Sequence, residues 1–293
     1  MAREHAILTA ASPAYAESLL ALVGSLNCNW PGHPPVLVYD LGLDPGTVRE
    51  LDGSGIMVRK VPAFCPHWRK HFTWKIWACH DAPCDSYLWL DAGICVLAPM
   101  PEAFVQMEAM GYFVVPNGLA LKEHMTPGLK KNMGLDDKAL AHALSLTGGV
   151  HGLRKTGQGL ALIAEALNYA LVEENLAATG PRQFHDQTLL SILMHKYFSP
   201  IVWADRMLYG ADQGYSPQSG QRIWCHRGAM QRGELDYFRA CLREQRPSRR
   251  AAPPRVPSAA MRLRIRIAKW RGRYPVQDAA PCIYDGVREA APH

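Results

Sequence analysis

The first 116 residues alternate short apolar runs with stretches of helical periodicity, and this alternation limits the possible folds more than any other feature. Residues 14–26, 72–83 and 99–110 carry apolar side chains at helical spacing, and a further short helix begins near Pro45. The apolar runs that predict strands are residues 5–12, 36–43, 56–61, 87–97 and 111–116. Strands that alternate with helices build a parallel sheet. We therefore predict an α/β fold with a mostly parallel, doubly wound sheet and flanking helices.

The organisation changes after Pro116. Residues 117–146 are rich in Gly, Lys, Asn and Asp and have weak periodicity, which predicts a long loop or short helices of the kind that often bind ligands. The rest of the pattern predicts a glycine turn and strand at 147–155, helices at 157–175 and 186–197, and short strands at 199–204 ("SPIVWA") and 222–226.

Ligands of open α/β sheets bind where the carboxyl ends of the strands meet. The polar residues that the pattern places there are Thr9, Asp40, Asp91 and the pair Gly148 and Gly149. Asp91 interrupts the apolar run "YLWLDAGICVL" and has two interpretations. It is a turn aspartate that bonds its own backbone, or it coordinates a divalent cation that holds a diphosphate, with Gly93 allowing close backbone approach.

Seven short segments occur in an order that carries a family resemblance. They are "LTAAS", "VYDLGL", "WK", "YLWLDAGICVLAPMPEAF", "TGGVHGLRK", "FHDQTLLSIL" and "WCHRGAM". In this order they resemble the GT-A glycosyltransferases, particularly family 8 with glycogenin and the bacterial lipopolysaccharide hexosyltransferases, over residues 5–230. The resemblance implies a nucleotide-sugar-binding α/β sandwich. It also implies a metal site formed by an Asp-x-Asp motif and a later histidine near a glycine.

The resemblance carries over residue by residue. It implies a nucleotide pocket lined by Thr9, Ala10 and Ala11, with Asp40 near the base. Lys75 of "TWKIW" matches a basic position before the metal motif and would reach the diphosphate or the carboxylate of Asp91. As an isolated residue, Lys75 is equally well interpreted as a solvated helix lysine.

The later segments supply the sugar and metal positions. Gly148 and Gly149 match a turn that presents backbone groups to the sugar, although they also suit an ordinary loop. Asp186 and Gln187 match the Asp-Gln pair that lies against the donor sugar, although Asp186 also suits the N-cap of a helix. His226 would be the late metal ligand, and Gly228 would let the backbone approach phosphate.

The sequence departs from the family at the metal motif. It has Asp91-Ala92-Gly93, so the second carboxylate is missing. Three outcomes follow: a weakly bound Mn²⁺ or Mg²⁺ assembled only with the donor, metal-free catalysis in which Lys75 or arginines neutralise the diphosphate, or a scaffold without activity. We expect the first, because diphosphate oxygens, water, Asp91 and His226 together supply enough ligands for a hard cation.

The implied reaction transfers a sugar from a nucleotide-diphosphate sugar to a hydroxyl of a glycan or lipid-linked acceptor, in cell-surface glycan or lipopolysaccharide synthesis. Family 8 enzymes retain the anomeric configuration, so Asp186 and Gln187 would position the sugar and support its oxocarbenium-like centre. In an inverting enzyme, Asp186 would be the general base. The alternative is a non-catalytic nucleotide- or glycan-binding module on a degenerate GT-A scaffold. A nucleotidyltransferase is disfavoured, because its glycine-rich phosphate loop with Arg or Lys would follow the first strand, and "LTAASPAYAES" has neither a glycine nor a basic residue.

Cysteine usage and hydropathy set the expected compartment. The eight cysteines have no CxxC pair or regular spacing, and several lie in apolar runs, which predicts reduced thiols in a cytosol. No apolar run approaches the ~20 residues of a membrane-spanning helix, and Glu4, His5 and Glu17 interrupt the start of the chain where a signal peptide would be apolar. The sequence therefore predicts a cytoplasmic protein, with peripheral contact to the inner face of the membrane as an option.

The positive charge of the chain is concentrated near its end. The net charge is +6, but residues 239–273 have 12 Lys and Arg against one acid, so this segment carries +11 and the remainder −5 (6 − 11). We predict a GT-A-like domain at 1–238 and a basic Pro/Arg-rich linker with an amphipathic segment at 239–293. The alternating arginines of "MRLRIRIAKWRGRY" suit contact with anionic lipid, contact with an acidic polymer, or a solvated edge strand. Nucleic acid ranks lowest, because the main domain is acidic and lacks a recognition motif.

Overall fold

The computed structural model describes residues 3–177, 184–210, 220–226 and 230–243. The strands in these ranges are β1 (Arg3–Ala11), β2 (Val36–Asp40), β3 (Met57–Lys60), β4 (Cys84–Leu90), β5 (Ile94–Val96), β6 (Tyr112–Ala120), β7 (Leu144–Arg154) and β8 (Ile223–Cys225). Six of them form one sheet in the order β3-β2-β1-β4-β7-β6, and β5 pairs with β8 in a second, small sheet. β1 is parallel to β2 and β4, and β2 is parallel to β3, whereas β7 is antiparallel to β4 and β6. The predicted mostly parallel α/β sheet is confirmed.

The helices connect these strands. They are α1 (Ala16–Asn29), α2 (Pro45–Gly53), α3 (Thr73–Asp81), α4 (Pro101–Met110), α5 (Pro127–Met133), α6 (Asp137–Ala141), α7 (Gln158–Ala170), α8 (Glu173–Leu176), α9 (His185–Phe198), α10 (Arg206–Tyr209) and α11 (Arg232–Arg243). Local sequence explains several of their ends. Asp44 caps α2 by accepting hydrogen bonds from the N–H groups of Gly46 and Thr47, and Gly111 ends α4 with a left-handed φ of 88°.

Successive side chains of each strand project to opposite faces of the main sheet, and each face carries its own hydrophobic core. Leu8 and Trp89 belong to one core, and Ile7 and Leu88 belong to the other. The first core is completed by residues of α3, α7 and α9, and the second by residues of α1, α2 and α4. Each fully buried Leu or Ile stabilises the fold by roughly 1.5–3 kcal/mol relative to its exposed state. The sheet is therefore doubly wound, as predicted.

The run at 87–97, predicted as one strand, is two strands in different sheets. β4 ends at Leu90, and β5 begins at Ile94. The turn between them is closed by a hydrogen bond from the N–H of Ile94 to the carbonyl oxygen of Asp91 (3.0 Å). Because the chain turns away at Asp91, this residue lies at the carboxyl edge of the main sheet.

Other elements differ from the prediction because of non-local pairing. Gly148 and Gly149, predicted in a turn, lie inside β7, where the Gly149 carbonyl oxygen accepts a hydrogen bond from the N–H of Asp91. "SPIVWA" is not a strand, because it makes a single backbone bond to β6, from Ala204 N to Val114 O (2.8 Å). The helix predicted at 157–175 is divided into α7 and α8. Residues 117–146 contain the end of β6 and the short helices α5 and α6.

The last described helix, α11, packs against α1. A disulfide joins Cys28 of α1 to Cys241 of α11, across 213 residues of sequence. The two helices approach so closely that a side chain at Gly24 would overlap the carbonyl group of Phe238. The prediction of reduced thiols is therefore wrong for this pair, since only the tertiary structure brings these two cysteines together. Three other cysteines are buried thiols, as predicted: Cys79, Cys84 and Cys95.

The helices in the described ranges are short. The longest of them, α1 and α9, have 14 residues each, whereas a membrane-spanning helix needs about 20. No helix in this part of the chain has the length and apolar character to cross a membrane.

Candidate active site

Asp91 follows the last residue of β4 and begins the turn that leads into β5. Its N–H donates to the carbonyl oxygen of Gly149 in β7 (2.9 Å). Its carboxylate oxygen Oδ1 accepts a hydrogen bond from the indole Nε1 of Trp89 (2.8 Å). The side chain is nevertheless 42% exposed. The protein thus orients this carboxylate and leaves it partly exposed to solvent.

The ammonium group of Lys75, in α3, lies beside that carboxylate. Lys75 is only 4% exposed. Its Nζ is 3.0 Å from Asp91 Oδ1 and 3.2 Å from Asp186 Oδ2, and it donates a hydrogen bond to the carbonyl oxygen of Gly148 (3.2 Å). Burial acts to lower the pKa of Lys75, but the two carboxylates outweigh it and hold the pKa above its usual range. Lys75 is therefore a buried, protonated cation and not a solvated helix lysine.

Asp186 lies in the first turn of α9 and is buried. The N-cap of α9 is Phe184, so the alternative of Asp186 as the capping residue is wrong, and its carboxylate faces Lys75 instead. Burial raises the pKa of Asp186; the ammonium of Lys75 offsets part of this effect, and the charge of Asp91 adds to it. One ammonium group thus lies within 3.2 Å of a carboxylate oxygen of each of two aspartates.

The side-chain amide of Gln187 is fixed by β7. Its Oε1 accepts a hydrogen bond from the N–H of Gly148 (2.9 Å), and its Nε2 donates to Ser145 Oγ (3.1 Å). A Cβ atom at Gly148 would lie 3.1 Å from the Cβ of Gln187, and one at Gly149 would lie 3.1 Å from Asp91 Oδ2. Both positions therefore favour glycine because of this close approach. The structure thus brings together six of the predicted residues: Lys75, Asp91, Gly148, Gly149, Asp186 and Gln187.

The ends of β1 and β2 form a second part of the same sheet edge. Ala11 pairs with Asp40 across the two parallel strands. Asp40 Oδ1 accepts hydrogen bonds from the N–H groups of Gly42 (2.6 Å) and Leu43 (2.5 Å), so one carboxylate oxygen closes the turn after β2. The β1 residues predicted to line a nucleotide pocket are all buried: Thr9, Ala10 and Ala11.

His226 lies beside the turn that contains Asp91. Its N–H donates to the carbonyl oxygen of Gly93 (3.0 Å), directly after the pairing of β5 with β8. The residue is buried, and burial lowers its pKa, so its imidazole is neutral at pH 7. A Cβ at Gly93 would meet no atom of the described residues within 4 Å, its chain neighbours aside. Gly228 lies outside the described residues.

Asp91 and His226 are the two predicted metal ligands. Asp91 offers a carboxylate oxygen and His226 a neutral imidazole nitrogen, and both are ligand types that Mn²⁺ accepts. Asp91 Oδ1 already faces Lys75. In the described ranges, no group of three candidate metal ligands includes Asp91; the group that does form, Glu4, His5 and Glu108, lies at the amino end of β1.

Two residues that hold the site were not predicted from the sequence. Trp89 orients the carboxylate of Asp91, and Ser145 holds the amide of Gln187. Trp89 has a local signal, because residues two apart in a strand project from the same side. Ser145 has none, since its contact with Gln187 depends on how α9 packs against β7.

Comparisons with known proteins find similarity in structure but not in sequence. No family model matches the sequence, and no curated protein matches it. The solved complex of the galactosyltransferase LgtC with donor and acceptor sugar analogs matches with 15% sequence identity and a TM-score of 0.50, covering 83% of this chain and 98% of LgtC. WbbM, a bifunctional glycosyltransferase, matches with 13% identity and a TM-score of 0.54, covering 83% of this chain and 50% of WbbM.

A third solved structure is a mouse protein. Mouse xyloside xylosyltransferase 1 matches with 10% identity and a TM-score of 0.50, covering 78% of this chain and 99% of the mouse chain. Identities this low establish a shared fold only. The strand order, the mostly parallel sheet and these matches together show that the chain has the fold of the GT-A glycosyltransferases.

Proposed function

We propose that this protein is a glycosyltransferase that moves a sugar from a nucleotide-diphosphate sugar to a hydroxyl acceptor. The observation that carries the proposal is the buried contact of Lys75 with both Asp91 and Asp186, at the carboxyl edge of a GT-A sheet. A buried lysine between two carboxylates is costly to desolvate, so a structural role alone explains it poorly. Perturbed charged groups of this kind concentrate at functional sites.

Glycosyl transfer develops charge on both sides of the bond that breaks, and the charged side chains of Lys75, Asp91 and Asp186 suit this chemistry. Breaking the bond between sugar and phosphate develops positive charge at the anomeric carbon and negative charge on the leaving diphosphate. The carboxyl groups of Asp91 and Asp186, both in contact with Lys75, would lie near the positive centre and favour it. Gln187, held by Gly148 and Ser145, would orient a sugar hydroxyl without having to reorganise.

We further propose that the anomeric configuration is retained rather than inverted. A general base that activates an acceptor hydroxyl must reach that hydroxyl and release its proton afterwards. Asp186 is buried and paired with Lys75, which suits a positioning role better than exchange of protons with an incoming acceptor. Asp186 and Gln187 would then support the oxocarbenium-like centre from beneath the sugar.

Asp91 and His226 would hold a divalent cation, Mn²⁺ or Mg²⁺, only together with the donor. Bound there, the cation would neutralise the charge of the leaving diphosphate. Thr9, Ala10, Ala11 and Asp40 would lie on the nucleotide side of the edge, with Gly93 and Gly228 giving the diphosphate access to the backbone. The missing second carboxylate predicts weak affinity for the cation alone.

Donor hydrolysis tests the proposal. A panel of nucleotide sugars is incubated with the full chain, with and without Mn²⁺ or Mg²⁺, and release of the nucleotide diphosphate is measured. We expect at least one donor to be hydrolysed, faster with metal, and an Asp186→Asn variant to lose this activity. As a matched control, Asp52→Ala removes an exposed carboxylate in α2 and should hydrolyse the donor at the wild-type rate.

The second candidate function is a non-catalytic nucleotide- or glycan-binding module. The absence of a second acid beside Asp91 in the sequence "DAG" favours it. The same panel separates the two functions: a nucleotide diphosphate that raises the melting temperature while no donor is hydrolysed would support the binding module and exclude the transferase.

The biological setting is proposed as cell-surface glycan or lipopolysaccharide synthesis, with a glycan or lipid-linked acceptor. The basic segment after Arg243 would contact anionic lipid peripherally, at about 1 kcal/mol per basic residue near the surface. Its structure lies outside the described residues. The Cys28–Cys241 disulfide favours an oxidising compartment. It removes the cysteine argument for a cytoplasmic location, so the lipid contact is proposed without a compartment.

A further inference from the structure

The phenyl ring of Phe72 is exposed at the rim of the Lys75 site. The residue is 46% exposed, although Thr73 and Lys75 immediately after it are buried. Its ring centroid lies 5.5 Å from Lys75 Nζ, the ammonium that also faces Asp91 and Asp186. A single exposed ring is ordinary on a protein surface. The backbone that presents this ring is not ordinary.

His71 and Phe72 both have left-handed backbone conformations, with φ of 55° and 54°. Such φ values are disfavoured for residues with a side chain, and glycine would relieve the strain. Among the described residues no other non-glycine residue has a positive φ. Backbone strain persists only where the surroundings impose it, and it is concentrated at binding and catalytic sites.

Backbone hydrogen bonds impose this conformation. The carbonyl oxygen of Lys70 accepts from both the N–H (3.0 Å) and the Oγ1 of Thr73 (2.8 Å). The carbonyl oxygen of Phe72 accepts from the N–H of Lys75 (2.8 Å), and Trp74 N–H donates to the carbonyl oxygen of Trp68 (3.1 Å). The segment that leads into α3 is thus fixed on both sides of Phe72.

Side-chain contacts tie the same segment to α8 and α9. Lys70 Nζ and His71 Nε2 both approach Glu173 Oε1, at 3.1 and 3.3 Å. The ring of Phe72 lies 6.1 Å from those of Trp74 and His185, measured between centroids. Its position is therefore set by contacts from three helices before any ligand arrives.

We propose that Phe72 is a stacking platform for a hexopyranose unit of the acceptor, an inference that rests on the proposed glycosyl transfer. One face of a hexopyranose carries axial C–H bonds, which are apolar and slightly positive. They complement the negative face of an aromatic ring. Hydroxyl groups at the edge of the same sugar would reach the half-exposed carboxylate of Asp91. Sites of this composition, an aromatic wall with a few fixed polar groups, are typical of small-ligand pockets.

We assign the ring to the acceptor rather than to the donor sugar because Phe72 lies nearer the surface than the residues that would face the donor. Asp186 and Lys75, which would face the donor sugar, are buried, whereas Phe72 is at the rim. A second sugar unit that enters from solvent meets the exposed ring first. Stacking on a preformed ring would orient its hydroxyl toward the donor at little entropic cost.

Saturation-transfer NMR tests the platform directly, with methyl β-D-glucopyranoside and methyl β-D-galactopyranoside as probes. We expect the full-length wild type to saturate most strongly the axial protons of one sugar face. Phe72→Ala and Phe72→Gly should lose this pattern, and Phe72→Trp should keep it. Phe72→Gly should also keep or raise the melting temperature, because it relieves the strain; a purely structural Phe72 would lower it. Tyr237→Ala, which removes an exposed ring on α11, is the matched control and should behave as wild type.

Kinetics give the second readout once a donor is turned over. Phe72→Ala should raise the acceptor KM roughly tenfold, about 1.4 kcal/mol, and change kcat less. The platform is overturned if Phe72→Ala shows the wild-type saturation pattern, or if the wild type saturates neither sugar. Donor hydrolysis in the same samples keeps the two proposals apart. Hydrolysis without Phe72-dependent sugar contact removes only the platform, whereas Phe72-dependent contact without hydrolysis of any donor keeps a sugar platform and removes the transferase.

Discussion

Lys75 and Asp186 form an ion pair inside the protein: Nζ lies 3.2 Å from Oδ2, and each side chain is 5% exposed. The pair joins α3 to α9 beneath the sheet edge. Asp91 shares the same ammonium but is partly open to water. Loss of Lys75 would therefore leave Asp186, more than Asp91, with an uncompensated charge.

Lys75→Met should lower the free energy of unfolding by about 3–5 kcal/mol, because breaking a buried ion pair leaves the other charge unpaired in a low dielectric. The double variant Lys75→Met/Asp186→Asn should recover part of that loss. Urea unfolding followed by tryptophan fluorescence measures both. Lys70→Met is the control, since its pair with Glu173 is exposed to solvent and should contribute little to stability. Equal losses in the two lysine variants would contradict the buried pair.

Asp91→Ala and His226→Ala should each reduce donor turnover at least about a hundredfold, the usual effect of removing a group that stabilises transition-state charge. Asp91 is half exposed, so the melting temperature of its variant should stay close to that of the wild type. His226 is buried, so its variant is compared only if its circular dichroism spectrum is unchanged. Wild-type turnover in either variant would remove the metal-ligand assignment.

His151 should make the protein sensitive to acid. Burial and, less strongly, the charge of Lys75 lower the pKa of His151 to about 3. The unfolded chain has the ordinary value of about 6.5 and therefore binds the proton more readily, so stability is lost as the pH falls below 6.5. The slope approaches about 1.4 kcal/mol per pH unit. His151→Phe should lose less stability between pH 7 and about pH 4 in urea unfolding; identical slopes would contradict the neutral, buried imidazole.

The Cys28–Cys241 disulfide should stabilise the docking of α11 on α1. Closing a loop across 213 residues limits the unfolded chain, an effect typically of about 2–5 kcal/mol. Cys241→Ser should lower the free energy of unfolding by that amount. A reductant should do the same to the wild type and leave the variant unaffected. Alkylation of Cys28 in the unreduced, denatured wild type, detected by mass spectrometry, would show that the bond does not form.

Deleting residues 246–293 should reduce association with vesicles that contain anionic lipid, because most of the basic side chains near the end of the chain are removed. Sedimentation with phosphatidylglycerol vesicles measures this, and neutral phosphatidylcholine vesicles are the control. Unchanged sedimentation would assign the arginines to a solvated segment instead.

Much of the fold follows from the local sequence. Apolar runs of strand length alternate with helical periodicity up to Pro116, and each run has the same type in the structure, apart from the division at Asp91. The position of Asp91 at the carboxyl edge of the sheet was also foreseeable, because β4 is parallel to β1 and ends directly before it. These features depend on periodicity and chain direction, which a sequence encodes locally.

The tertiary structure alone decided the rest. Burial of Lys75 between two carboxylates depends on α3 and α9 packing on the same face of the sheet. The pairing of Cys28 with Cys241 depends on α11 packing on α1. The left-handed backbone that presents the exposed ring of Phe72 depends on contacts from α8 and α9. Each of these features joins residues far apart in the chain, so none of them can be read from a local pattern. Local sequence determined the strands and helices. The packing of those elements determined which charged groups are buried together and how the ring of Phe72 is presented, because such contacts form only when distant segments meet.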